Sequence, residues 1–305
     1  MQDPQPEFQP QHGAVVEVAP AVRRIVAPNP SPMTFRGTNT YLLGTDQIAV
    51  VDPGPDMASH LDAIEAAISN GGRITHILVT HAHVDHSALA PRLSARTGAP
   101  IYAYGDALAG RSPLMQTLAA MDRLGGGEGV DAAFTPDICL THAEQIDLGG
   151  LRITAHYTPG HMANHLAFSL GDVLLSGDLV MGWATSLVSP PDGDLTAFMD
   201  SLRQLQSNRW SQFLPGHGAP ISDPDARLQE LLDHRMGREA SVLQCLAKAP
   251  ATAEEIAKAV YTQTPAALIP AATRNVLAHL IDLTERGLAR PDGPISPDAR
   301  FSTVA

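Results

Sequence analysis

Residues 81–86 of this 305-residue chain, His81-Ala82-His83-Val84-Asp85-His86, place three imidazoles and a carboxylate within six positions. Imidazole nitrogen and carboxylate oxygen are the donors that borderline divalent ions such as zinc accept. The preceding residues 74–79 are short, apolar and partly β-branched, which predicts a buried strand. Residues 87–93 predict the start of a helix. The cluster thus falls on a tight loop at the C-terminal end of a strand, where open α/β sheets place their sites.

Three later segments repeat the arrangement. Tyr157-Thr158-Pro159-Gly160-His161, Ser176-Gly177-Asp178 and Leu214-Pro215-Gly216-His217 each end an apolar run on a turn and deliver a ligand-type side chain. A glycine stands beside each one, which lets backbones approach closely. The full set is His81, His83, Asp85, His86, His161, Asp178 and His217. Seven such groups suit two divalent ions, expected to be zinc, with positions left open for substrate. The assignment is His81, His83 and His161 to one ion, Asp85, His86 and His217 to the other, and Asp178 between them. Two ions less two aspartates and a hydroxide leave a charge of about +1, which attracts an anionic substrate. Metals about 4 Å apart lower the pKa of a shared water and polarise a P=O or C=O oxygen. The bridging hydroxide is the expected nucleophile, with Asp85 and Asp178 counted as catalytic. No G-x-S-x-G element offers a serine nucleophile instead.

Two further residues are candidates for chemistry. Asn39 either donates a hydrogen bond to substrate or satisfies its own turn. His165 either protonates a leaving oxygen or holds a phosphate, or else supports the ligands from behind. Asp52, at a strand end, is a candidate support for the metal ligands or a turn residue. Trp183 is a candidate pocket wall or a packed aromatic. His60 is expected to face solvent. His76, His142, His156, His234 and His279 lack partnered spacing and are read as structural.

The positioning elements read in order. Residues 1–13 form a loose lead-in, and 14–18 and 22–26 are strands. The stretch 39–43 with 48–51 is a hairpin, and 57–70 an amphipathic helix. A helix to about 97 and a strand at 100–103 complete a strand–helix–strand unit. Residues 105–135 break the rhythm with Gly125-Gly126-Gly127-Glu128-Gly129, an insertion that is either a lid or a surface loop. Strands return at 146–156, 166–170 and 173–176, then a helix at 195–206. A domain of residues 1–235 is expected, followed by a second of 236–305. In the latter, three helices and a small hairpin predict a winged helix.

Composition narrows the function. The formal net charge of −12 argues against broad attraction to nucleic acid or an anionic membrane. Residues 241–305 balance six Lys/Arg against six Asp/Glu, and the helix carrying Arg274, His279, Asp282, Glu285 and Arg286 is not a basic face. Duplex DNA binding is not expected; the domain is expected to cover the site edge or pack in a homodimer. Cys139 and Cys245 are expected as two reduced, packed thiols. With no signal peptide or apolar 20-residue run, the expected location is cytoplasmic, without a membrane partner.

Taken together, Asp52, the H-x-H-x-D-H loop, His161, Asp178 and His217 resemble, in order, the motifs of the metallo-β-lactamase superfamily over about residues 14–235. The resemblance implies an α/β fold, an αββα sandwich with the site at one edge of two facing sheets. The aspartate at 178 and His86 after Asp85 are unlike true class B1 lactamases, so β-lactam cleavage is disfavoured. Asn29-Pro30-Ser31-Pro32-Met33-Thr34-Phe35-Arg36-Gly37-Thr38-Asn39-Thr40-Tyr41 resembles the N-P-x-x-x-T-x-x-G-T-N-T-Y signature of the lactamase-beta-2-like branch. The stretch 158–165 and the winged helix fit that branch too, although Asn164 stands where an acidic residue is common. Animal members of the branch are metal-dependent endoribonucleases, so the resemblance implies a phosphodiesterase on single-stranded RNA. The alternative is a glyoxalase-II-like thioester hydrolase. A metal-sensing winged-helix regulator is the reading of another class, and the complete ligand set speaks against it.

Overall fold

A computed structural model of the chain describes residues 3–68 and 71–304. Its elements are β1 (Val16–Ala19), β2 (Val22–Val26), β3 (Asn39–Leu43), β4 (Gln47–Val51), α1 (Ala58–Ala66), β5 (Arg73–Leu78), α2 (Val84–Ser87), α3 (Ala90–Thr97), β6 (Ile101–Ala103), α4 (Pro113–Ala120), β7 (Ile138–Cys139), β8 (Gln145–Leu148), β9 (Leu151–Tyr157), β10 (Leu166–Leu170), β11 (Val173–Gly177), α5 (Leu195–Gln206), β12 (Gln212–Pro215), α6 (Pro224–Lys248), α7 (Ala253–Val260), α8 (Ile269–Glu285), β13 (Ala289–Pro291) and β14 (Phe301–Thr303). The helix expected at 57–70 is the shorter α1, and residues 69 and 70 lie outside the described residues.

Two sheets carry the larger unit. The first runs β1-β2-β3-β4-β5-β6-β7, the second β12-β11-β10-β9-β8. In the first, β1 to β4 are antiparallel and β4 to β7 parallel. The central strands β3, β4, β10 and β11 are mostly apolar and buried along their length because both faces of the sheets are covered there. Tyr41, Leu43, Val51 and Leu78 meet Ile153, Leu166, Phe168 and Leu214 between the sheets. Leu61 and Ile64 of α1 and Leu93 of α3 cover the outside of the first sheet. Phe198, Leu202 and Leu205 of α5, with Leu228 and Leu231 of α6, cover the second. The result is the expected αββα sandwich.

The C-terminal unit is a winged helix, with α7, α8 and the β13–β14 hairpin around Val276, Leu277, Leu280 and Phe301. The division at 235/236 falls inside α6, one helix of 25 residues. Leu228, Leu231 and Leu232 pack into the sandwich, and Val242 and Leu246, farther along the same helix, pack into the winged helix. The 105–135 insertion resolves the lid-or-loop question differently from either option. Met115 and Leu118 of α4, with Leu124, are buried in the winged-helix core, so the insertion ties the two units together. Two smaller expectations fail. His60 is fully buried, because α1 turns it inward against Thr40. Cys139 is exposed, because β7 is a two-residue edge strand with no cover.

Candidate metal centre

All five motif segments leave their strands at one edge of the sandwich. Asp52 follows β4, residues 80–86 follow β5, His161 follows β9, Asp178 follows β11 and His217 follows β12. Neighbouring strands end together, so residues as distant as His86 and His217 come within 3.3 Å, Nε2 to Nε2. The flanking glycines are needed there. Gly177 has φ +50°, and a Cβ on it would overlap the His165 ring; a Cβ on Gly216 would overlap the Asp178 carboxylate and the His86 ring.

The seven predicted ligands converge. Nδ1 of His83 lies 2.9 Å from Nε2 of His81 and 3.1 Å from Nε2 of His161. Nε2 of His217 lies 3.2 Å from Asp85 Oδ2 and 3.3 Å from Asp178 Oδ2. Asp178 Oδ2 also stands 3.6 Å from His86 Nε2 and 3.8 Å from His161 Nε2, so it faces both groups. Within these seven, the sets His81/His83/His161, His81/His86/Asp178 and Asp85/His86/His217 each present donor atoms within 4.8 Å of one another.

Outer hydrogen bonds fix which nitrogen points inward. His86 Nδ1 donates to the Asp52 carboxylate at 2.8 Å, His161 Nδ1 to the Leu187 carbonyl at 2.7 Å and His217 Nδ1 to the Gly37 carbonyl at 3.2 Å. Thr80 donates its hydroxyl hydrogen to Asp52, so it accepts from His81 Nδ1 at 2.9 Å. In their neutral forms these four rings therefore aim lone pairs at the centre, the arrangement that metal-bound histidines adopt. His83 Nδ1 carries at most one proton for the two lone pairs facing it. Asp178 Oδ1 is buried with no hydrogen-bond partner. Lone pairs and an orphaned carboxylate oxygen gathered without donors are costly unless a cation sits among them, and this donor set fits divalent metal.

Without a metal the cluster's electrostatics divide between its two groups. Burial, then the neighbouring His161, push His83 down to about 3. Burial would lower His217 too, but Asp178 and Asp85 beside it outweigh burial and raise it to about 9. Burial and then the surrounding imidazoles hold His165 down at about 3, so it stays neutral.

Of the two other candidates, neither is free to act on substrate, and His165 takes the supporting place that was its alternative. Both amide hydrogens of Asn39 go to the carbonyls of Pro215 and Gly218, each at 2.9 Å, so Asn39 braces the His217 turn and has no donor left for substrate. His165 is also occupied at both nitrogens. Its Nδ1 pairs with the Thr158 hydroxyl at 2.9 Å, and its Nε2 accepts from the Asp178 backbone N–H at 3.2 Å. It is fully buried, which removes it as an acid and makes it a brace for Asp178. Asn164 donates to the Asp106 carbonyl at 2.9 Å. Sequence reasoning did not single out Thr80 or Thr38, whose hydroxyl donates to Asp85 at 3.3 Å. Their positions beside known motifs are the only signal they carry.

Two hollows open from the centre. One of about 340 Å³ lies over His83, Asp85, His161, Asp178 and His217, with Glu128 and Gly129 of the insertion on its wall. The other, about 750 Å³, starts at His161 and Asp178 and runs between the two units past Met33, Phe35, Met181, Trp183, Leu187 and Leu268. Trp183 both lines it and stacks on Phe35, ring centroids 4.9 Å apart. Among the described residues lining this groove, Arg36 is the one cation, and Asp3 pairs with it.

Comparison with known proteins gives concordant results. Residues 33–217 match the Metallo-beta-lactamase superfamily, and residues 252–294 the Beta-lactamase associated winged helix domain. The chain is 30% identical to the Beta-lactamase-like protein 2 homolog of Drosophila melanogaster over 91% of this chain and 92% of that one. It is 29% identical to the atrochrysone carboxyl ACP thioesterase of Passalora fulva over 94% of this chain and 80% of that one. A crystal structure of a Beta-lactamase domain protein from Burkholderia ambifaria superposes with TM-score 0.80 at 24% identity, covering 99% of this chain and 96% of that one.

Proposed function

The chain belongs to the metallo-beta-lactamase superfamily, in the branch of beta-lactamase-like protein 2, and from that premise we propose that this hydrolase is dinuclear and cleaves thioesters with an apolar acyl group. The groove carries the substrate reading. It leads from His161 and Asp178 along Met33, Phe35, Met181 and Leu268, a surface that gains by burying hydrocarbon. The similarity to a protein named as an ACP thioesterase supports the same choice.

Single-stranded RNA, the substrate that the branch resemblance implies, is the second reading. A phosphate backbone asks for free cations, whereas Arg36 in the groove is already paired with Asp3. The winged helix offers little more for duplex DNA, since Arg274 is engaged by Ser189 and by the carbonyls of Leu124 and Pro190.

His81, His83 and His161 would hold one ion, Asp85, His86 and His217 the other, with Asp178 shared. Bound divalent ions, zinc by the donor set, supply a Lewis acid for the scissile oxygen and lower the pKa of water. The chain's own residues do the rest. Asp52 keeps the His86 and His81 lone pairs inward, and His165 holds the Asp178 backbone. Asp85, 22% exposed, borders the hollow; burial would raise its carboxyl, but the His86 and His217 imidazoles outweigh burial and hold it well below the usual carboxylate range, so it stays ionised as a ligand. The groove seats the acyl group and excludes water beside it.

The test is a side-by-side assay of metal-loaded protein on acyl thioesters of rising chain length and on single-stranded RNA, with Asp178→Ala as control. Thioester turnover that rises with chain length and vanishes in Asp178→Ala is expected. RNA cleavage alone, lost in the same variant, would replace the thioester reading with the second one.

A further inference from the structure

Residues 186–188 cross between the sandwich and the winged helix without regular secondary structure. Each of the three is tied. The Ser186 carbonyl accepts from the Arg235 guanidinium, and the Val188 N–H donates to Asn275 Oδ1 at 3.1 Å. Arg235 donates to the same Asn275 oxygen, also at 3.1 Å. Between these anchors, the Leu187 carbonyl accepts from His161 Nδ1 at 2.7 Å. On its inner side, the Ser186 hydroxyl donates to the Asp178 backbone carbonyl.

We propose that Asn275 and Arg235 are positioning residues for the metal centre, fixing the Leu187 carbonyl that sets the tautomer and direction of His161. The inference rests on the reading of the cluster as a metal centre and is independent of the substrate. The placement of Arg235 supports it. Arg235 is 2% exposed, its guanidinium lies 4.9 Å over the Phe198 ring, and among the described residues it is hydrogen-bonded to the Ser186 carbonyl and Asn275 with no carboxylate in ion-pair range. A charge buried without a counter-ion is a poor stabiliser, so what it accomplishes is geometric: one fork spans two elements and holds Ser186 and Asn275 together. Asn275 lies on α8, the helix that a DNA-binding winged helix would present to the groove. Here that helix grips a loop of its own protein, and the adjacent Arg274 extends the grip to Ser189 and Pro190. The winged helix thereby becomes part of the site's scaffold.

Asn275→Leu removes the acceptor at similar size, and Asn275→Asp keeps an oxygen where Val188 and Arg235 need one. The readouts are zinc affinity of the stripped full chain by competition with a chromophoric chelator and the visible spectrum of the cobalt-substituted protein. Asn275→Leu is expected to bind one equivalent about 10–100-fold more weakly, with an altered cobalt spectrum, and Asn275→Asp to restore both. If Asn275→Leu fails to fold, Asn275→Ala takes its place in the same comparison. Wild-type affinity and spectrum in the acceptor-less variant would overturn the proposal. So would equal weakening in Asn275→Asp, or a loss that tracks a lowered melting temperature of the metal-free protein. Failure of the wild type to bind metal would instead overturn the metal-centre reading.

Discussion

Nδ1 of His86 donates to Oδ2 of Asp52 across 2.8 Å, and that one carboxylate governs two rings of the cluster. Its oxygens also receive the Thr80 N–H at 2.7 Å and the Thr80 hydroxyl at 2.8 Å, and Thr80 in turn accepts from His81. Asp52 holds φ +49°, an uncommon conformation for an aspartate, to make these bonds. Asp52→Asn replaces an acceptor oxygen by a donor. Zinc affinity is expected to fall about 10–100-fold, read by chelator competition, with the far-UV circular dichroism unchanged. Unaltered affinity would mean that Asp52 serves only the turn.

Asp178 faces both ligand groups, so its loss should not be shared evenly with the other ligands. Asp178→Ala is expected to weaken metal binding in both groups, leaving well under one equivalent after dialysis, and to reduce activity to background. His83→Ala should remove metal from one group only. Elemental analysis of dialysed proteins checks both. Two equivalents retained in Asp178→Ala would disprove the shared position.

Metal removal should destabilise as well as inactivate, because lone pairs and carboxylates are left facing one another in a buried space. A ligand at a thousand times its dissociation constant adds about 4 kcal/mol to stability. The melting temperature is therefore expected to climb with free zinc and to fall on chelation. A melting curve indifferent to zinc would speak against a preformed centre.

His60 makes stability pH-dependent in a calculable direction. Burial lowers it from 6.5 to about 4, and its Nδ1 has no partner. Below 6.5 the unfolded chain takes up a proton that the folded chain refuses until about 4. Its contribution is thus complete above pH 6.5 and is lost as pH falls toward 4, about 3 kcal/mol in all. Urea unfolding of metal-free protein at pH 7 and pH 5 should show a smaller difference in His60→Gln than in wild type, by roughly 2 kcal/mol. Identical differences would refute the assignment.

The groove predicts a chain-length effect. Ala271 lies on its winged-helix wall. Ala271→Trp should fill space equivalent to several methylenes, each worth about 0.8 kcal/mol on burial. The kcat/KM for a long-chain thioester is expected to drop about 10–50-fold, and that for an acetyl thioester to change little. Equal loss on both would place the acyl chain elsewhere.

The ligand set was legible because ligand chemistry restricts residue type and strand ends restrict place: His81 to His86, His161, Asp178 and His217 all meet. The strands were legible as apolar runs, while the αββα sandwich itself came from the resemblance to the metallo-β-lactamase superfamily. Misplacements came where a side chain's direction depends on tertiary contacts. No pattern in the sequence says that the hydrogen bonds of Asn39 and His165 are spent inward on Pro215, Gly218, Thr158 and Asp178. His60 looked solvent-facing because its side chain is polar, and its burial is decided by Thr40 on a neighbouring strand. Leu187 contributes a backbone carbonyl, to which residue type gives no clue.

The 25 residues of α6 make a rod of about 37 Å that begins in one unit and ends in the other. A chain joined by a soft tether can swing its parts apart to admit a bulky guest; one joined by a rod has to bend the rod. Such a joint favours a groove whose width is settled as the protein folds, and on the thioester reading it is the girth of the acyl group that this width would select.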